Sequence, residues 1–372
     1  MTKNNSEHSV RIPAERLRQF VAQVLTTAGV GANDSQIVAD VLTAADLRGV
    51  ESHGVALLGW YLAQIQMGAI SLSSSASVVR EGGAVALIDA NNTLGAPVSV
   101  RAMDMCLDLA EEFGISAVSV RNSNHFGMAA YYALRALSRD MIGLAMTNAS
   151  RLIAPTFGTE PMLGTNPLAV AVPAGASLPY VLDMATSVRP FGKIATAQQA
   201  GAQLPTGVAI DAQGQPIHSP EYFIKAVRTT FEAALLPLGS EAELSSYKGY
   251  GLAMLVDILS GVLSGANFSK DVGSDPAAPA GVGHWFLAIN VSNFMPLDQF
   301  RARMDALAND LTASRKAPGA SRIYIPGEIE FETEMQRNRE GIPIDVAGLQ
   351  SLHQIAERTG VALELSSRPG AL

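Results

Sequence analysis

The sequence predicts an α/β protein in which helices surround a mixed β-sheet. Short β-type runs recur along the chain, amphipathic helical stretches lie between them, and several strands follow one another through brief Gly/Pro turns. The third observation breaks the regular βαβα alternation of a doubly wound parallel sheet, so a mixed sheet is expected. With 372 residues, 48% of them hydrophobic, the chain can bury the core of one large domain or two interleaved ones.

Residues 13–28, "PAERLRQFVAQVLTTA", place proline at a first helical position. An apolar stripe runs through Leu17, Phe20, Val21, Val24 and Leu25, and Gly29 stops the helix. Residues 35–48 repeat the pattern, capped from Asn33 or Asp34, with Ile37, Val38, Val41, Leu42 and Ala45 on one face and Gly49 as terminator. The polar segment "LRGVESHG" (47–54) therefore begins at a helix end and continues into a loop. Strands are expected at "VALID" (85–89), "ISAVSV" (115–120), "IGLAMTN" (142–148), "LAVAVP" (168–173), "YVLDMA" (180–185) and "WFLAIN" (285–290). Further helices are expected at about 97–113, 128–139, 248–264, 297–314 and 346–359. "SEAELSS" (240–246) and "SKDVGSDPAAPAG" (269–281) read as exposed loops, and no internal repeat is found.

Charge and cysteine content narrow the function. With 26 basic against 34 acidic residues, a net charge of −8 and no block of like charges, neither a nucleic-acid surface nor a polybasic membrane patch is expected, and partners should be small molecules. The single cysteine, Cys106, excludes an internal disulfide framework or a thiolate metal cluster and fits a reducing compartment. "MTKNNSEHSVRIP" lacks the apolar core of a signal peptide, and no run of about 18 apolar residues is present to span a bilayer, so a cytoplasmic protein is expected.

Of six histidines, His53 in "LRGVESHG" and His125 in "RNSNHFG" (121–127) lie at helix–loop junctions among Gly and Ser, where catalytic side chains are often placed. Each could instead cap a helix or satisfy a buried backbone group. His8 falls in the N-terminal tail and His353 on a terminal helix. No HxH or HExxH spacing occurs, so no metal site is expected. Neither G-x-G-x-x-G nor G-x-x-x-x-G-K-[ST] occurs; "GYGLAM" (249–254) and "GVGHWF" (281–286) both fail the first, which argues against a Rossmann site. Other helix N-termini could hold a pyrophosphate: after "NSNHFG", after "DMATS" (183–187), and at "SYKGYG" (246–251), where Lys248 adds positive charge. Lys193 in "RPFGKI" also stands out, although a lysine in a turn is usually only solvated. Asp183, ending "YVLD", could accept from a ribose hydroxyl or cap the following turn.

Together these segments resemble the malate/L-lactate dehydrogenase family, unrelated to the Rossmann-type lactate dehydrogenases. It includes sulfolactate and ureidoglycolate dehydrogenases, 2,3-diketogulonate reductase and piperideine-2-carboxylate reductases. The matching stretches are "DLRGVESHG", "RNSNHFGMAAYY", "TNASRLIAPTFG", "LGTNPLAVAVP", "VLDMATS", "GKI", "PLG", "YKGYGLAMLVDILSGVLSGA", "FLAIN" and "IPGEIE", in the family's order across roughly residues 15 to 345. The resemblance implies a non-Rossmann NAD(P)-binding fold of the sulfolactate dehydrogenase type, working as a homodimer with NAD or NADP, NAD being favoured. It implies a substrate domain of residues 1–130 completed by 304–372, and an NAD(P)-binding domain of 131–303. It assigns the acid/base role first to His53, oriented by Ser52, and second to His125. Lys193 would support the reacting oxygen, and Asn148 would bind substrate. His125, Phe126, Gly127, Asp183, Met184, Ala185, Thr186, Ser187, Tyr247, Lys248, Gly327 and Glu328 would contact the dinucleotide.

Two positions depart from the family pattern. Leu57 stands where members often carry an arginine for the substrate carboxylate, leaving Arg48 as the nearest replacement. Lys193 stands where the cyclic-imine reductases have aspartate, which favours alcohol–ketone over imine chemistry. The expected reaction is hydride transfer between NAD(P)H and a small 2-oxo or 2-hydroxy acid such as malate, lactate or sulfolactate. The alternatives are an NADPH-dependent cyclic-imine (piperideine or pyrroline-2-carboxylate) reductase and a non-catalytic ligand-binding relative. A hydrolase with Ser52 as nucleophile is disfavoured, because adjacent Ser and His do not form an attacking pair and no G-x-S-x-G elbow occurs.

Overall fold

A computed structural model describes residues 9–365 of the chain, so His8 lies outside the described residues. Strand β1 (Val10–Ile12) pairs antiparallel with β11 (Ile342–Ile344), bringing distant parts of the chain together. Helix α1 (Ala14–Thr27) follows Pro13 and buries the expected stripe. Helix α2 (Ala32–Leu47) starts earlier than expected. Gly31 precedes it, and Asn33 and Asp34 fall inside the first turn, where Asp34 faces the positive end of the helix instead of capping it.

The main sheet has seven strands: β2 (Ser77–Gly82), β3 (Val85–Asp89), β4 (Ile115–Ser123), β10 (Val282–Asn290), β5 (Met141–Thr147), β6 (Leu168–Val172) and β7 (Tyr180–Met184), in that spatial order. Only β3 and β4 run parallel, joined by α4 (Gly95–Phe113), so the sheet is mixed. Strand β10 inserts between β4 and β5, and its Phe286 sits opposite Val118 and Ala145, all three fully buried. The expected domain boundary at 130 therefore falls between two strands that share β10. A second buried cluster gathers Ile153, Ile194, Phe223, Leu235 and Ala253 around α6 (Phe191–Gln199), α7 (Pro220–Thr229) and the hairpin of β8 (Ala209–Asp211) and β9 (Ala233–Leu235).

The remaining helices are α3 (Leu58–Gln66), α5 (Ala129–Arg135), α8 (Ser246–Asp257), α9 (Leu297–Ala313), α10 (Glu328–Glu340) and α11 (Val346–Thr359). The helix expected over 248–264 is α8 continued by π-type turns at Ile258–Val262, and the one expected over 128–139 is α5 followed by a 3₁₀ turn. The sequence reading left out α3, α6, α7 and α10. Helix α10 buries no residue completely, so no apolar stripe announces it. Among the described residues no helix is long and apolar enough to cross a membrane.

Candidate active site

The loop after α2 turns at Gly49 (φ +78°), makes short 3₁₀ turns at Glu51–His53 and Val55–Leu57, and enters α3. Asp46, on the last turn of α2 and 2% exposed, holds this loop by accepting the Val55 N–H at 2.8 Å. Gly54 packs directly on that carboxylate; a Cβ there would lie 1.8 Å from Asp46 Oδ1. Burial pushes the Asp46 carboxyl up to about 7, with Glu51 adding to the rise while the Val55 N–H and Arg337 oppose it. Arg337, from α10, donates to the Asp46 carbonyl and the Glu51 carboxylate, so a distant helix locks both ends of the loop.

His53 Nδ1 lies 3.0 Å from the exposed Ser52 hydroxyl. Its ring stacks on His125 with centroids 5.6 Å apart and planes 20° from parallel. His125 follows the end of β4, where Asn122 adopts φ +51° and Asn124 donates to the carbonyls of Asn92 and Thr93 at 3.0 and 2.9 Å. Gly95, opening α4, lets the Asn124 and His125 carbonyls come close; a Cβ there would sit 2.2 Å from the Asn124 oxygen.

The Tyr61 hydroxyl reaches His125 Nδ1 at 2.8 Å and the His125 carbonyl at 3.2 Å, and the Gly127 N–H points at Nδ1 from 3.3 Å. With the phenol hydrogen on Nδ1, the histidine carries its proton on Nε2. With the phenol hydrogen on the carbonyl, Nδ1–H donates to the phenol oxygen and Nε2 keeps a free lone pair, an arrangement that gives up the long Gly127 contact because that N–H needs the Nδ1 lone pair. Burial, then the charges of His53 and His284, lower the His125 pKa to about 3; burial lowers that of His53 and raises that of Tyr61. Trp60 meets the His125 ring edge-on at 5.8 Å.

Behind this pair Phe126 stacks between Tyr132 at 4.7 Å and His284 at 4.5 Å. His284, fully buried, contacts the Thr147 and Ser123 hydroxyls at 2.8 Å each, and burial lowers its pKa to about 3. The Phe126 ring is 1% exposed and forms the floor of the site, so the dinucleotide contact expected there would fall to its backbone.

Asp183 accepts the Ala130 N–H at 2.9 Å, so it caps α5, the helix after "NSNHFG", rather than the turn that follows it in sequence. Its side chain remains solvent-accessible although protein surrounds the carboxyl on most sides. Loss of bulk water there lifts its pKa to about 6; the Ala130 N–H and Arg48 oppose the rise and Glu330 adds to it. Met184 and Ala185 remain partly accessible beside it. Thr186 and Ser187 do not. The Thr186 hydroxyl donates to the Thr165 or Asn166 carbonyl and the Ser187 hydroxyl to that of Arg189, so the dinucleotide contact expected of these two residues would fall to their backbone.

The Leu238 N–H donates to Thr186 O at 2.8 Å and the Gly249 N–H to Leu238 O at 3.1 Å, which brings "DMATS", "PLG" and "SYKGYG" together. Tyr247 and Lys248 are exposed at the start of α8, and Lys248 forms no ion pair among the described residues. Gly192, opening α6, rests on Ser52, where a Cβ would lie 2.5 Å from the serine Cβ; this places the exposed Lys193 beside the histidine loop. Gly327 packs on β7, with Pro326 O accepting the Val181 N–H at 2.9 Å. The Glu328 carboxylate is already engaged by Arg322 at 2.8 Å and the Ile325 N–H at 3.1 Å.

Two further expectations are corrected. Arg48 is no open carboxylate clamp: its side chain is 3% exposed, pairs with Glu334 at 2.8 Å and lies over the Phe331 ring. Asn148 has no free atom for a substrate. Its amide donates to Asp257 at 3.0 Å and Asn267 O at 2.8 Å, and its oxygen accepts the Gly283 N–H at 2.9 Å. Sequence reasoning missed Asp46, Trp60, Tyr61 and His284. The available signals were an acid one residue before "LRG", the aromatic pair following "SHG", and the histidine of "GVGHWF".

The donor set suits a dinucleotide. An unpaired ammonium at Lys248 and the α8 N-terminus offer positive charge to phosphates, and Asp183 offers an accessible acceptor to a ribose hydroxyl.

The profile of one protein family, malate/L-lactate dehydrogenase, matches residues 12–353. The malate dehydrogenase of Pyrococcus abyssi is 45% identical over 356 residues, covering 95% of this chain and 96% of that one. The malate dehydrogenase structure from Entamoeba histolytica superposes with a TM-score of 0.92 at 34% identity, covering 95% of this chain and 99% of that one. Sulfolactate dehydrogenase from Methanocaldococcus jannaschii superposes with a TM-score of 0.84 at 34% identity, covering 95% and 98%.

Proposed function

The chain belongs to the malate/L-lactate dehydrogenase family, and from that membership we propose that it transfers a hydride between NAD and a small 2-hydroxy or 2-oxo acid, with the His53–His125 pair moving the proton. The observation that carries this is the stacked pair itself, braced by Tyr61, with Asp183 capping the helix that follows His125.

A bound nicotinamide supplies the hydride acceptor or donor. As the hydroxyl-bearing carbon gives up hydride with its electron pair, the hydroxyl proton must leave to a base; in the reverse direction the carbonyl oxygen takes a proton back. The sequence ranks His53 first for this role, whereas the surroundings favour His125. Its Nδ1 is held by a buried phenol that can accept a hydrogen once the long Gly127 N–H contact is released, which frees Nε2 as a base, while His53 is braced by the exposed Ser52. Rings this close disfavour a positive charge on both, so a charge on His53 lowers the proton affinity of its neighbour. Lys193, beside Ser52, sets positive charge near the oxygen on which negative charge grows. NAD is favoured over NADP because Arg322, the cation beside Gly327 and Glu328, is paired with Glu328 at 2.8 Å and Glu332 at 2.7 Å, leaving it less free for a 2′-phosphate.

The test is a 340 nm screen of 2-oxo and 2-hydroxy acids with both dinucleotides. Turnover with NAD(H) and no added divalent ion is expected; no turnover with any acid would sink the reading. In the same assay Lys248→Ala should raise the dinucleotide KM roughly three- to tenfold, the scale of one partly solvated phosphate contact. An unchanged KM removes Lys248 from the site.

We further assign a homodimer. The outer face of α8 and its continuation exposes Met254, Leu255, Ile258 and Val262, by 47, 44, 40 and 54%. Their spacing is that of one helical face, and a monomer rarely leaves such a stripe in water. Light scattering at micromolar concentration should give the dimer mass, and Val262→Asp should shift it toward the monomer. A wild-type monomer with full activity rejects the assignment. The lone Cys106, a buried free thiol, fits a reducing cytoplasm.

A further inference from the structure

We infer that the acid taken by this site carries an apolar side chain, branched or aromatic, in place of a second acidic group. The inference rests on the dehydrogenase reading and names its substrate class.

The wall beside the histidine pair is apolar and rigid. Trp60 is 42% exposed although its ring lies 5.8 Å from His125 and 5.1 Å from Tyr61, both edge-on. An indole of this size normally buries more of itself, and here it is fixed from behind by a tyrosine that is itself bonded to the histidine. Leu57, in the 3₁₀ turn entering α3 three residues before Trp60, is half-buried against the core and offers its remaining exposed side as isobutyl surface with no charge.

The cations around the loop are nearly all committed. Arg48 is buried against Glu334, and Arg337 is taken by Glu51 and the Asp46 carbonyl. Among the described residues Lys193 stands free of an ion pair next to the glycine that rests on Ser52, as does the exposed Arg189 three residues before that glycine, and a charge there serves the C1 carboxylate that every 2-oxo acid carries. A second carboxylate or a sulfonate on the side chain would meet indole and isobutyl surface, losing hydration without gaining a partner. An apolar side chain would displace that water favourably.

The experiment measures kcat/KM with NADH for 2-oxo-4-methylpentanoate, phenylpyruvate, pyruvate and oxaloacetate, using wild type, Trp60→Ala and Leu57→Arg. An apolar 2-oxo acid should exceed oxaloacetate by about tenfold or more, the scale set by side-chain fit in a hydrophobic pocket. Trp60→Ala, a change at an exposed position whose fold is checked by its melting temperature, should raise KM for the apolar acids by about tenfold and affect pyruvate less. Leu57→Arg should move the preference toward oxaloacetate. Oxaloacetate leading in the wild type, or a preference indifferent to Trp60→Ala, overturns the inference and leaves the dehydrogenase reading standing. No turnover with any of the four overturns the inference, and none with any acid of the wider screen overturns the dehydrogenase reading as well.

Discussion

His125→Ala lowers kcat by about 10²-fold or more in the oxidation of the 2-hydroxy acid, while the dinucleotide Kd and the melting temperature stay close to wild type. The size is that of losing a positioned general base. The fold should survive because His125 is half-buried at the edge of the core, and the floor of Phe126, Tyr132 and His284 beneath it remains in place. The pH profile of the wild type carries a second signature. A base works in its unprotonated form, and burial holds the His125 pKa near 3, so oxidation should persist well below the pH at which an ordinary histidine would switch off. Tyr61→Phe removes the hydroxyl that meets Nδ1 and should cut kcat without a comparable change in KM. If His53→Ala loses the 10²-fold and His125→Ala does not, the proton carrier is His53.

Asp46 gives the second large effect, and its sign follows from the direction of its shift. The folded carboxyl holds its proton up to about pH 7, the unfolded one only to about 4, so the folded state binds the extra proton between those values. Stability from this group is therefore fully present below about pH 4 and is lost as pH rises toward 7. The shift corresponds to something on the order of 2–4 kcal/mol. Asp46→Asn keeps an acceptor for the Val55 N–H and removes the buried charge. It should melt a few degrees above wild type at pH 8, with the gain absent at pH 4. Asp46→Ala strands that N–H, costing about 1–3 kcal/mol, and frees the His53 loop, so both melting temperature and kcat should fall at either pH. Melting curves at the two pH values, with kcat measured alongside, decide it; an Asn variant that melts below wild type at pH 8 would refute the role of the buried charge.

Much of this was legible because it is local. The stripe on α1 and the run forming β3 report which side chains turn inward, and the structure places both where the pattern puts them. The two histidines announced themselves by sitting among Gly and Ser at element ends, and the ordered motifs carried the family resemblance across most of the chain. The sequence by itself thus determined the mixed α/β class, the elements with strong apolar periodicity and the pair of candidate proton carriers.

Only the tertiary structure decided what each polar side chain faces. Strand β10 enters the middle of the sheet from about 160 residues beyond β4, and no pattern within either strand specifies that partner. Helix α10, polar around its surface, reaches back to take Arg48 through Glu334 and to hold the Asp46 loop through Arg337. Asn148, Thr186 and Ser187 look like ligand contacts in their motifs, yet their hydrogen bonds are spent on the protein's own backbone and on Asp257. Tyr61 comes onto His125 from another element altogether. Periodicity records how one segment divides between core and solvent. The partner of a buried polar atom is fixed by long-range packing, which leaves each such atom to find its hydrogen bond in whatever element the fold brings alongside.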